Sequence, residues 1–562
     1  MGSMMTGLYV GLSGLRTSSN SLNTTSNNLT NVNTDGYVRQ QVINKDVMYY
    51  DVTCSSGMGQ AGLGVTVSKI NHVRDIFLDD AYRRENGRAG FYEKLYDAVS
   101  EIETQLGNTD GIDGIQFQQN ITSLYEAVNK VVEAPGELVN RSALVQSAVE
   151  FIDKAQLVYG GLKKYQNTLN DEVNSVVNRI NEIGHKVQDL NVRISKVEAG
   201  QVEGANDLRD QRDMLLDELS KYGKIKTNED NRGVVEVSFE GVPFVDDLSV
   251  NELGVKFNDD SSFIIPIWPQ MGDQEVFNIT TDISTESNTD IGSLKGLLIA
   301  RGNYSPIYSD VDTASVDYNT SVVFKTMANL DKLVNSIVES INDIFCPEKA
   351  YTAADGSVYT VLDTDIAPMA KDGTYGVELF TRAYTDRYTV QTIDGQQMYV
   401  RNNTNTFGNN STYNINNISV NDVILKDYSK MALTRADGAD AFDVAKQLAH
   451  IFSPDTQNDV GEKYLMTYDL GDSNVITRLS FEKFYEAITS DVATTGKIYR
   501  SMADNEDTLA HSIDNKRQEI MGVQSDEELG NMIKYQQAYN AASRYINVVA
   551  EMIDTLINKV GG

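Results

Sequence analysis

Both ends of this 562-residue chain carry apolar residues that recur at alternating spacings of three and four. Near the start, the recurring positions are Met5, Leu8, Leu12, Leu15, Ser19, Leu22, Ser26 and Leu29. Near the end, they are Leu529, Met532, Gln536, Tyr539, Ser543, Ile546, Ala550, Ile553, Ile557 and Val560. Such spacing places each set on one face of an α-helix. The chain is therefore predicted to begin and end with amphipathic helices that can pair as a coiled coil.

The N-terminal stripe is interrupted by two serines, and most residues around it are Ser, Thr, Asn and Gly. Helix propensity is weak there, and a single helix pair would bury only a thin core. Pairing of the two ends inside one protomer is one part of the interpretation, and packing against neighbouring copies is the other. The predicted assembly interface consists of Leu8, Leu12, Leu15, Leu22, Leu29, Met532, Tyr539, Ile546, Ile553 and Ile557. The turn that follows the first helix is predicted to comprise Asn33, Asp35, Gly36 and Tyr37.

Charge separates the two ends from the middle of the chain. The formal net charge is −32, yet residues 1–45 carry +2 and residues 525–562 carry −2, so the acidic surplus lies between them. Neutral ends can pack copy against copy without repulsion, while an acidic middle stays hydrated. Binding to nucleic acid or to an anionic membrane surface would need a basic face, so neither is expected.

Helical periodicity continues in the middle of the chain, with strand-like segments between the helices. The strongest seam is Leu169, Val173, Val176, Ile180, Ile183, Val187, Leu190, Ile194 and Val197. Helices are also predicted over about 324–345 and 481–520, whereas residues 347–425 read as short strands separated by Asp-Gly and Asn-rich turns. The predicted fold class is mostly α with inserted β domains, in a nested multidomain arrangement. Its paired terminal helices enclose a helical-bundle body that carries β-rich outer insertions.

The predicted division of the chain has four parts. The terminal coiled coil comprises 1–45 with 521–562, and the helical body comprises 46–225, 291–346 and 471–520. A small β-rich segment covers 226–290, and a β-rich outer insertion covers 347–470.

Residues that most often perform catalysis or bind metals are few. There are two cysteines, Cys54 and Cys346, and four histidines that stand singly. His72 has Asp75 three residues later, and it is interpreted as a surface or capping histidine because no nucleophile motif accompanies it. No enzymatic activity, cofactor or metal site is therefore expected. No apolar run reaches the length of a membrane span.

Three loop-like motifs are given structural rather than ligand-binding interpretations. Gly57–Gly62 matches the pattern GxGxxG, but the residues after it are strand-like, so a flexible turn is favoured over a dinucleotide loop. The acid-rich segments 110–114 and 437–440 lack the ligand spacing of a calcium loop, which favours solvated turns.

Four segments of the sequence resemble a known family. Residues 12–15, LSGL, and 25–40, TSNNLTNVNTDGYVRQ, resemble the N-terminal signature of bacterial flagellar rod, hook and hook-associated proteins. The C-terminal stretches GV, DEEL, KYQQAY and MIDTL between Gly522 and Leu556 resemble the closing helix of the same family. Internally, NDLRDQRD at 206–213 and GSLKGLL at 292–298 resemble the hook-associated members that form the first hook–filament junction.

The resemblance implies a structural subunit without enzymatic activity. Members of this family are exported through the flagellar type III channel without a cleaved signal peptide, and the start of this chain lacks the pattern of such a peptide. They assemble helically, with paired terminal helices lining an inner tube. For this chain, the resemblance implies an extracellular adapter that joins a bending hook to a stiffer filament. The implied partners are further copies of the chain, the hook protein, a second hook-associated protein and an export chaperone at the C-terminal helix.

The insertion leaves a second hypothesis open. The aromatic residues of its part 351–399 are Tyr351, Tyr359, Tyr375, Phe380, Tyr384, Tyr388 and Tyr399. At strand spacing, such residues are typical of core and cross-strand pairs. The alternative is a surface-binding role of residues 347–470 in adhesion or glycan recognition.

Overall fold

A computed structural model describes most of the chain in atomic detail. The described residues are 2–54, 57–107, 117–199, 204–258, 261–279, 283–312, 319–383, 385–402, 412–453, 463–468, 477–555 and 557–558. Helices dominate these residues, and short antiparallel strands form several small sheets between them. The predicted class, mostly α with inserted β elements, is confirmed.

The helices in the described residues are α1 (Gly2–Thr30), α2 (Ile76–Leu106), α3 (Phe117–Glu133), α4 (Leu138–Glu198), α5 (Asn206–Tyr222), α6 (Ser293–Arg301), α7 (Val322–Phe345), α8 (Asp422–Lys426), α9 (Phe442–Phe452), α10 (Phe481–Met521) and α11 (Ser525–Thr555). Their ends follow ordinary capping rules. Asp75 accepts hydrogen bonds from the backbone of Phe77 and Leu78 and starts α2. Gly107 ends α2 in the left-handed conformation, and Ser321 caps α7.

The strands are β1 (Gln40–Asp46), β2 (Tyr49–Cys54), β3 (Gly57–Gly62), β4 (Val65–His72), β5 (Ile225–Glu229), β6 (Val235–Phe239), β7 (Val242–Val245), β8 (Gly254–Phe257), β9 (Ile264–Trp268), β10 (Gln274–Glu275), β11 (Glu348–Thr352), β12 (Val358–Leu362), β13 (Phe380–Arg382), β14 (Tyr388–Ile393), β15 (Gln396–Arg401), β16 (Ile418–Val420), β17 (Met466–Tyr468) and β18 (Thr477–Leu479). Two sheets have three strands, in the orders β5-β6-β7 and β10-β9-β8, and one has the order β11-β12-β15-β14. The pairs β1-β4, β2-β3, β13-β16 and β17-β18 are two-stranded.

The terminal helices α1 and α11 pack against each other, as the matching stripes predict. Strands β1 to β4 form an antiparallel arm, and β1 and β4 of this arm lie against α1. Part of this arm falls in the range 46–225 that the sequence assigns to the helical body. The predicted flexible turn at Gly57–Gly62 is wrong, because that segment is strand β3 and pairs with β2.

In the body, α2 packs along α10, α4 packs against α3, and α4 doubles back into α5. The 61-residue helix α4 buries Leu169, Val173, Val177, Ile180, Ile183, Val187, Leu190 and Ile194. The seam therefore uses Val177, while the predicted Val176 is half-buried beside it and Val197 is exposed. Two adjacent valines both fit a spacing of three or four, so the sequence pattern alone could not choose between them.

Three helices of the body meet through glycines. A Cβ at Gly292 would lie 2.7 Å from the Cα of Gly223, and a Cβ at Gly296 would lie 2.8 Å from the carbonyl oxygen of Phe91. The backbone of Gly292 donates to the carbonyl of Gly87 at 2.9 Å. Helix α6 can therefore approach α2 and the end of α5 at backbone distance, which explains both glycines of the GSLKGLL segment.

A tight turn beside this crossing buries an acidic group. Glu240 and Gly241 both have positive φ, +50° and +82°, and connect β6 to β7 as a two-residue hairpin. The Glu240 carboxylate accepts a hydrogen bond from the backbone of Lys224 at 2.6 Å. Burial raises the pKa of Glu240 to about 7, against the pull of the nearby Lys224 and Lys295.

Side chains of the body hold the outer insertion. Arg141 is fully buried and donates to the carbonyls of Met431 and Leu433. The amide of Asn342 accepts hydrogen bonds from the backbone N–H groups of Leu379 and Phe380 and donates one to the carbonyl of Phe380. The insertion has the expected short strands, but it also contains α9, which packs against α3 and α7 and was not predicted. The four-part division of the chain itself stays a prediction.

Candidate assembly interface

The contact between the two terminal helices runs along a glycine face of α1. A Cβ at Gly11 would lie 2.8 Å from Cγ1 of Ile546, and a Cβ at Gly7 would lie 3.0 Å from the hydroxyl of Tyr545. Gly14 faces Ala542 at a looser 3.8 Å. The absence of side chains at these positions lets the two backbones approach closely. The leucine pattern did not predict this face, although Gly7, Gly11 and Gly14 are spaced by four and three in the sequence.

The predicted interface residues flank this contact. Leu8, Leu15, Leu22, Leu29, Met532, Ile546 and Ile553 are half-buried, and Leu12, Tyr539 and Ile557 are exposed in the protomer. The buried positions of α1 are instead small or polar: Gly11, Thr17, Ser21, Thr24, Thr25 and Asn28. The pairing of the helices inside one protomer thus leaves much of the apolar stripe accessible.

Asn28 fixes the chain where it leaves α1. Its amide donates to the carbonyl of Gln40 at 2.9 Å and accepts from the backbone N–H of Gln40 at 3.1 Å, so one side chain pairs with the start of β1 like a neighbouring strand. The hydroxyl of Tyr37 also donates to Asn28 at 2.9 Å, and burial raises the pKa of that hydroxyl. Ser13 accepts from the backbone of Val65 and attaches β4 to the same helix.

The predicted turn lies between these anchors. Asn33, Asp35 and Gly36 are exposed, and Tyr37 is half-buried. Gly36 has a φ of +75°, and a Cβ there would collide with the sulfur of Met214. Glycine is required at this position on both grounds.

Arg39 connects the beginning of the chain to its end. Its guanidinium lies 2.8 Å from Glu528 and 2.9 Å from Glu527, and its backbone N–H donates to the carbonyl of Met521 at 2.8 Å. Glu528 is only 2% exposed, so this charge-assisted contact is largely shielded from water. It holds the link between α10 and α11 against the start of the β1–β4 arm.

A junction cluster of three arginines and three aspartates joins the arm to the body. It comprises Arg74, Arg83, Arg517, Asp79, Asp213 and Asp217. Arg517 lies 2.9 Å from Asp79 and 2.7 Å from Asp217, and its guanidinium stacks 4.3 Å from the ring centre of Tyr82. Desolvation opposes the charge of Arg74, but Asp213 and Asp79 raise its pKa. These alternating charges link the segment that follows β4 to α2, α5 and α10.

The NDLRDQRD segment supplies one acid of this junction, Asp213, and two further anchors. Asp210 accepts from the backbone of Val38 at 3.2 Å and lies 2.5 Å from His72. Arg212 is buried and donates to the carbonyl of Gly233 at 2.7 Å. His72 is therefore a half-buried structural partner of Asp210, whereas Asp75 caps α2 instead of orienting His72.

The arrangement is suited to holding parts of a structure together rather than to catalysis. It combines a helix pair with an accessible apolar face and a rigid ionic connection to the body. Within the described ranges, no group of three or more His, Cys, Asp or Glu side chains is placed to hold a metal ion.

Segment 437–440 forms a turn, and segment 110–114 lies outside the described residues. Of the helices that the structure describes, none combines the length and the apolarity needed to cross a membrane.

Comparisons with known proteins agree with these features. Residues 99–346 match the family model for the helical domain of flagellar hook-associated protein FlgK. Residues 8–37 match the model for flagella basal body rod proteins, and residues 515–559 match the C-terminal model of the flagellar basal body rod FlgEFG proteins. The two terminal matches cover most of the helix pair.

Curated relatives match over nearly the full length. Flagellar hook-associated protein 1 of Bacillus subtilis is 24% identical over 585 residues, covering 99% of each chain. The protein of the same name from Salmonella typhimurium is 24% identical and covers 97% of this chain and 98% of its own. Among solved structures, the flagellar hook junction protein FlgK from Burkholderia pseudomallei matches 79% of this chain and 99% of its own, with 11% identity and a TM-score of 0.45. These comparisons give no support to adhesion or glycan binding.

Proposed function

We propose that this chain, which belongs to the family of bacterial flagellar hook-associated proteins, joins the hook to the filament by helical self-assembly through its terminal helices. Its relatives are structural flagellar proteins, which indirectly supports a role without catalysis. The proposal places the chain in the extracellular flagellum, reached through the type III export channel.

One observation carries this proposal. Helix α11 has 31 residues, yet only Glu528 and Val549 are buried in the protomer. The terminal helices expose nine large apolar side chains by 38–64%: Met5, Tyr9, Leu12, Leu529, Ile533, Tyr539, Tyr545, Val548 and Met552. Single exposed apolar residues are ordinary, but a continuous set along a helix pair marks an interaction surface.

The size of the set is sufficient to drive assembly. Burying a large apolar side chain contributes about 1.5–3 kcal/mol, so nine half-exposed ones correspond to on the order of 10 kcal/mol when neighbours cover them. The near-zero charge of both ends removes the repulsion that the acidic body would create between copies. A helix rich in Ser, Thr, Asn and Gly is also easily unfolded, as passage through a narrow channel requires.

The proposed partners follow from family membership. They are copies of this chain, the hook protein, a second hook-associated protein and an export chaperone at the C-terminal helix. In this assembly, residues 1–45 with 521–562 would line the inner tube, the helical body would surround it, and the insertion 347–470 would project outward.

The test changes apolar residues that the protomer already exposes. We expect Tyr9→Asp with Ile533→Asp, at side chains that are 64% and 57% exposed, to leave the thermal unfolding of the purified protein unchanged but to abolish its incorporation at hook tips in cells that lack the parent protein. The matched control is Leu248→Asp with Phe257→Asp, because Leu248 is 83% and Phe257 is 70% exposed on the body. This control should incorporate normally.

A deletion provides a second, coarser test. Removal of residues 1–30 or 530–562 should leave a folded body, because the core of the body contains no residue of α1 or α11 among its described members. The truncated protein should fail to assemble. Normal incorporation of either truncated chain would refute assembly through the terminal helices.

A further inference from the structure

A cleft of about 1770 Å³ lies beside the terminal helix pair, between α1, the β1–β4 arm and the tip of the α4–α5 hairpin. The junction cluster closes one side of it through Arg74, Arg83 and Asp213. In the part of the chain that the structure describes, no residue of the chain's own α11 lines this cleft. The cleft is therefore a separate surface from the contact between α1 and α11.

The wall of the cleft gathers apolar side chains that the protomer leaves 38–71% exposed. Tyr9 is 64%, Leu12 38%, Val47 47%, Ile70 38% and Ile76 71% exposed, and all five line the cleft. They come from α1, the arm and the start of α2. Apolar residues that converge on a concave surface from separate elements are typical of a binding site.

The cleft also carries two free cations in a strongly acidic protein. Arg16 on α1 and Lys69 on β4 both line it, and neither forms an ion pair with a described residue. Arg209, which lines the same cleft, is by contrast held by Glu198 at 2.8 Å. With a chain charge of −32, two uncommitted cations beside apolar side chains select for an acidic, apolar occupant.

We propose that the cleft receives the first turns of α11 from a second copy of this chain. This segment begins with the exposed acid Asp526, and the apolar Leu529 and Ile533 follow one turn apart. Leu529 is 46% and Ile533 is 57% exposed in the protomer. Residues three and four apart share a helix face, so Asp526 can meet Arg16 and Lys69 while the apolar pair meets the wall.

The dimensions agree with a helical occupant. A helix about 11 Å wide that rises 1.5 Å per residue fills roughly 140 Å³ per residue, so the cleft can hold about a dozen residues, or three turns. Because the cleft and the α11 segment are different surfaces of the same chain, their contact is heterologous and repeats from copy to copy. This inference rests on the proposed function and names the surfaces through which one subunit would receive the next.

Charge reversal tests the contact in the full-length chain. Arg16→Glu with Lys69→Glu should lower the number of hooks that carry the protein by ~10-fold or more, since each reversal replaces an attraction with a repulsion. Asp526→Lys should also lower it. Combining all three changes should restore incorporation in part, because the charges are then exchanged rather than opposed. Lys446→Glu with Lys497→Glu is the matched control, with the same change in net charge at exposed lysines outside the cleft.

The outcomes separate this inference from the proposed function. Normal incorporation of the Arg16/Lys69 variant, while the terminal deletions abolish assembly, would refute the cleft contact and leave the assembly role intact. Failure of the triple variant to recover, with both component variants melting like the parent protein, would also refute it. If the variants with terminal deletions assembled normally, the proposed function would be refuted, and this inference with it.

Discussion

The glycine face of α1 allows the packing between the terminal helices to be tested position by position. Substituting alanine for glycine inside a helix contributes about 1 kcal/mol through helix propensity. The same substitution adds a Cβ, whose neighbours differ sharply along this face: Ile546 at 2.8 Å for Gly11, the Tyr545 hydroxyl at 3.0 Å for Gly7 and Ala542 at 3.8 Å for Gly14. The sign of the effect should therefore change along one helix.

At Gly14 the new methyl group makes an ordinary van der Waals contact, so Gly14→Ala should stabilise α1 by about 1 kcal/mol. At Gly11 the methyl group meets the Cγ1 methylene of Ile546, which is held close to the β-branch and cannot move aside as the end of a long side chain can. Overpacking costs about 1–3 kcal/mol, so Gly11→Ala should lose up to ~2 kcal/mol net. Gly7→Ala should fall between them, because a tyrosine hydroxyl is the far end of its side chain.

Hydrogen exchange of the α1 amides in the purified full-length protomer measures this effect directly. The two extreme variants should differ by about 1–3 kcal/mol in opening free energy, which is roughly 5- to 150-fold in exchange rate. Gly14→Ala should slow exchange and Gly11→Ala should accelerate it. Equal shifts in the same direction for both variants would refute the close approach of α1 to α11, since helix propensity alone would then explain the data.

Three further predictions concern single contacts. Burial raises the pKa of Glu240 from 4.5 to about 7, so between these pH values the folded chain holds a proton that the unfolded chain releases, and this contribution to stability falls as pH rises. Denaturant titrations should find Glu240→Gln more stable than the parent by about 1–3 kcal/mol at pH 8 and nearly equal to it at pH 4.5. A difference that stays constant with pH would contradict this. Asn28→Ala should destabilise the start of β1 by about 2 kcal/mol in hydrogen exchange, while Asn27→Ala at an exposed neighbouring position should change little. Arg141→Met should release the segment around Met431 by about 3 kcal/mol and make it sensitive to protease, whereas unchanged cleavage would show that the three carbonyl contacts are dispensable.

Elements whose apolar residues follow a clear helical spacing were predictable from the sequence. The terminal helices, the α4 seam and the helix over 324–345 each have enough turns for a spacing of three and four to stand out from chance. Helix α9 carries the same signal in Val444, Leu448 and Ile451, but it lies in a region where strand-like segments dominate the local pattern. The β1–β4 arm has almost no buried side chains among its described positions, so apart from the strand-like residues after Gly62 its sequence shows little of the alternation that identifies a strand.

The ionic contacts of the site could not be predicted because their partners are remote in sequence. Arg39 and Glu528 are 489 residues apart, and Arg517 and Asp217 are 300 apart. The NDLRDQRD segment could be recognised as distinctive, but a charged run on a helix is ordinarily a solvated face. Only the tertiary fold shows that Asp210, Asp213 and Asp217 point at the arm and at α10.

Because the contact between α1 and α11 is weak, the same surface can stay free in solution and still bind neighbouring copies in an assembly. On α1, the face that meets α11 carries the glycines Gly7, Gly11 and Gly14, and it contributes little apolar burial, so the leucines beside it remain available. Two free copies that covered half of the nine exposed side chains would gain about 5 kcal/mol. Association in solution costs about 4–15 kcal/mol in lost freedom of motion, so such a dimer has little net stability. A subunit that arrives at the end of a growing tube incurs that cost once and contacts several neighbours, so the same side chains then favour assembly. The apolar stripes are thus sufficient to stabilise a helical assembly but too sparse to stabilise a dimer in solution.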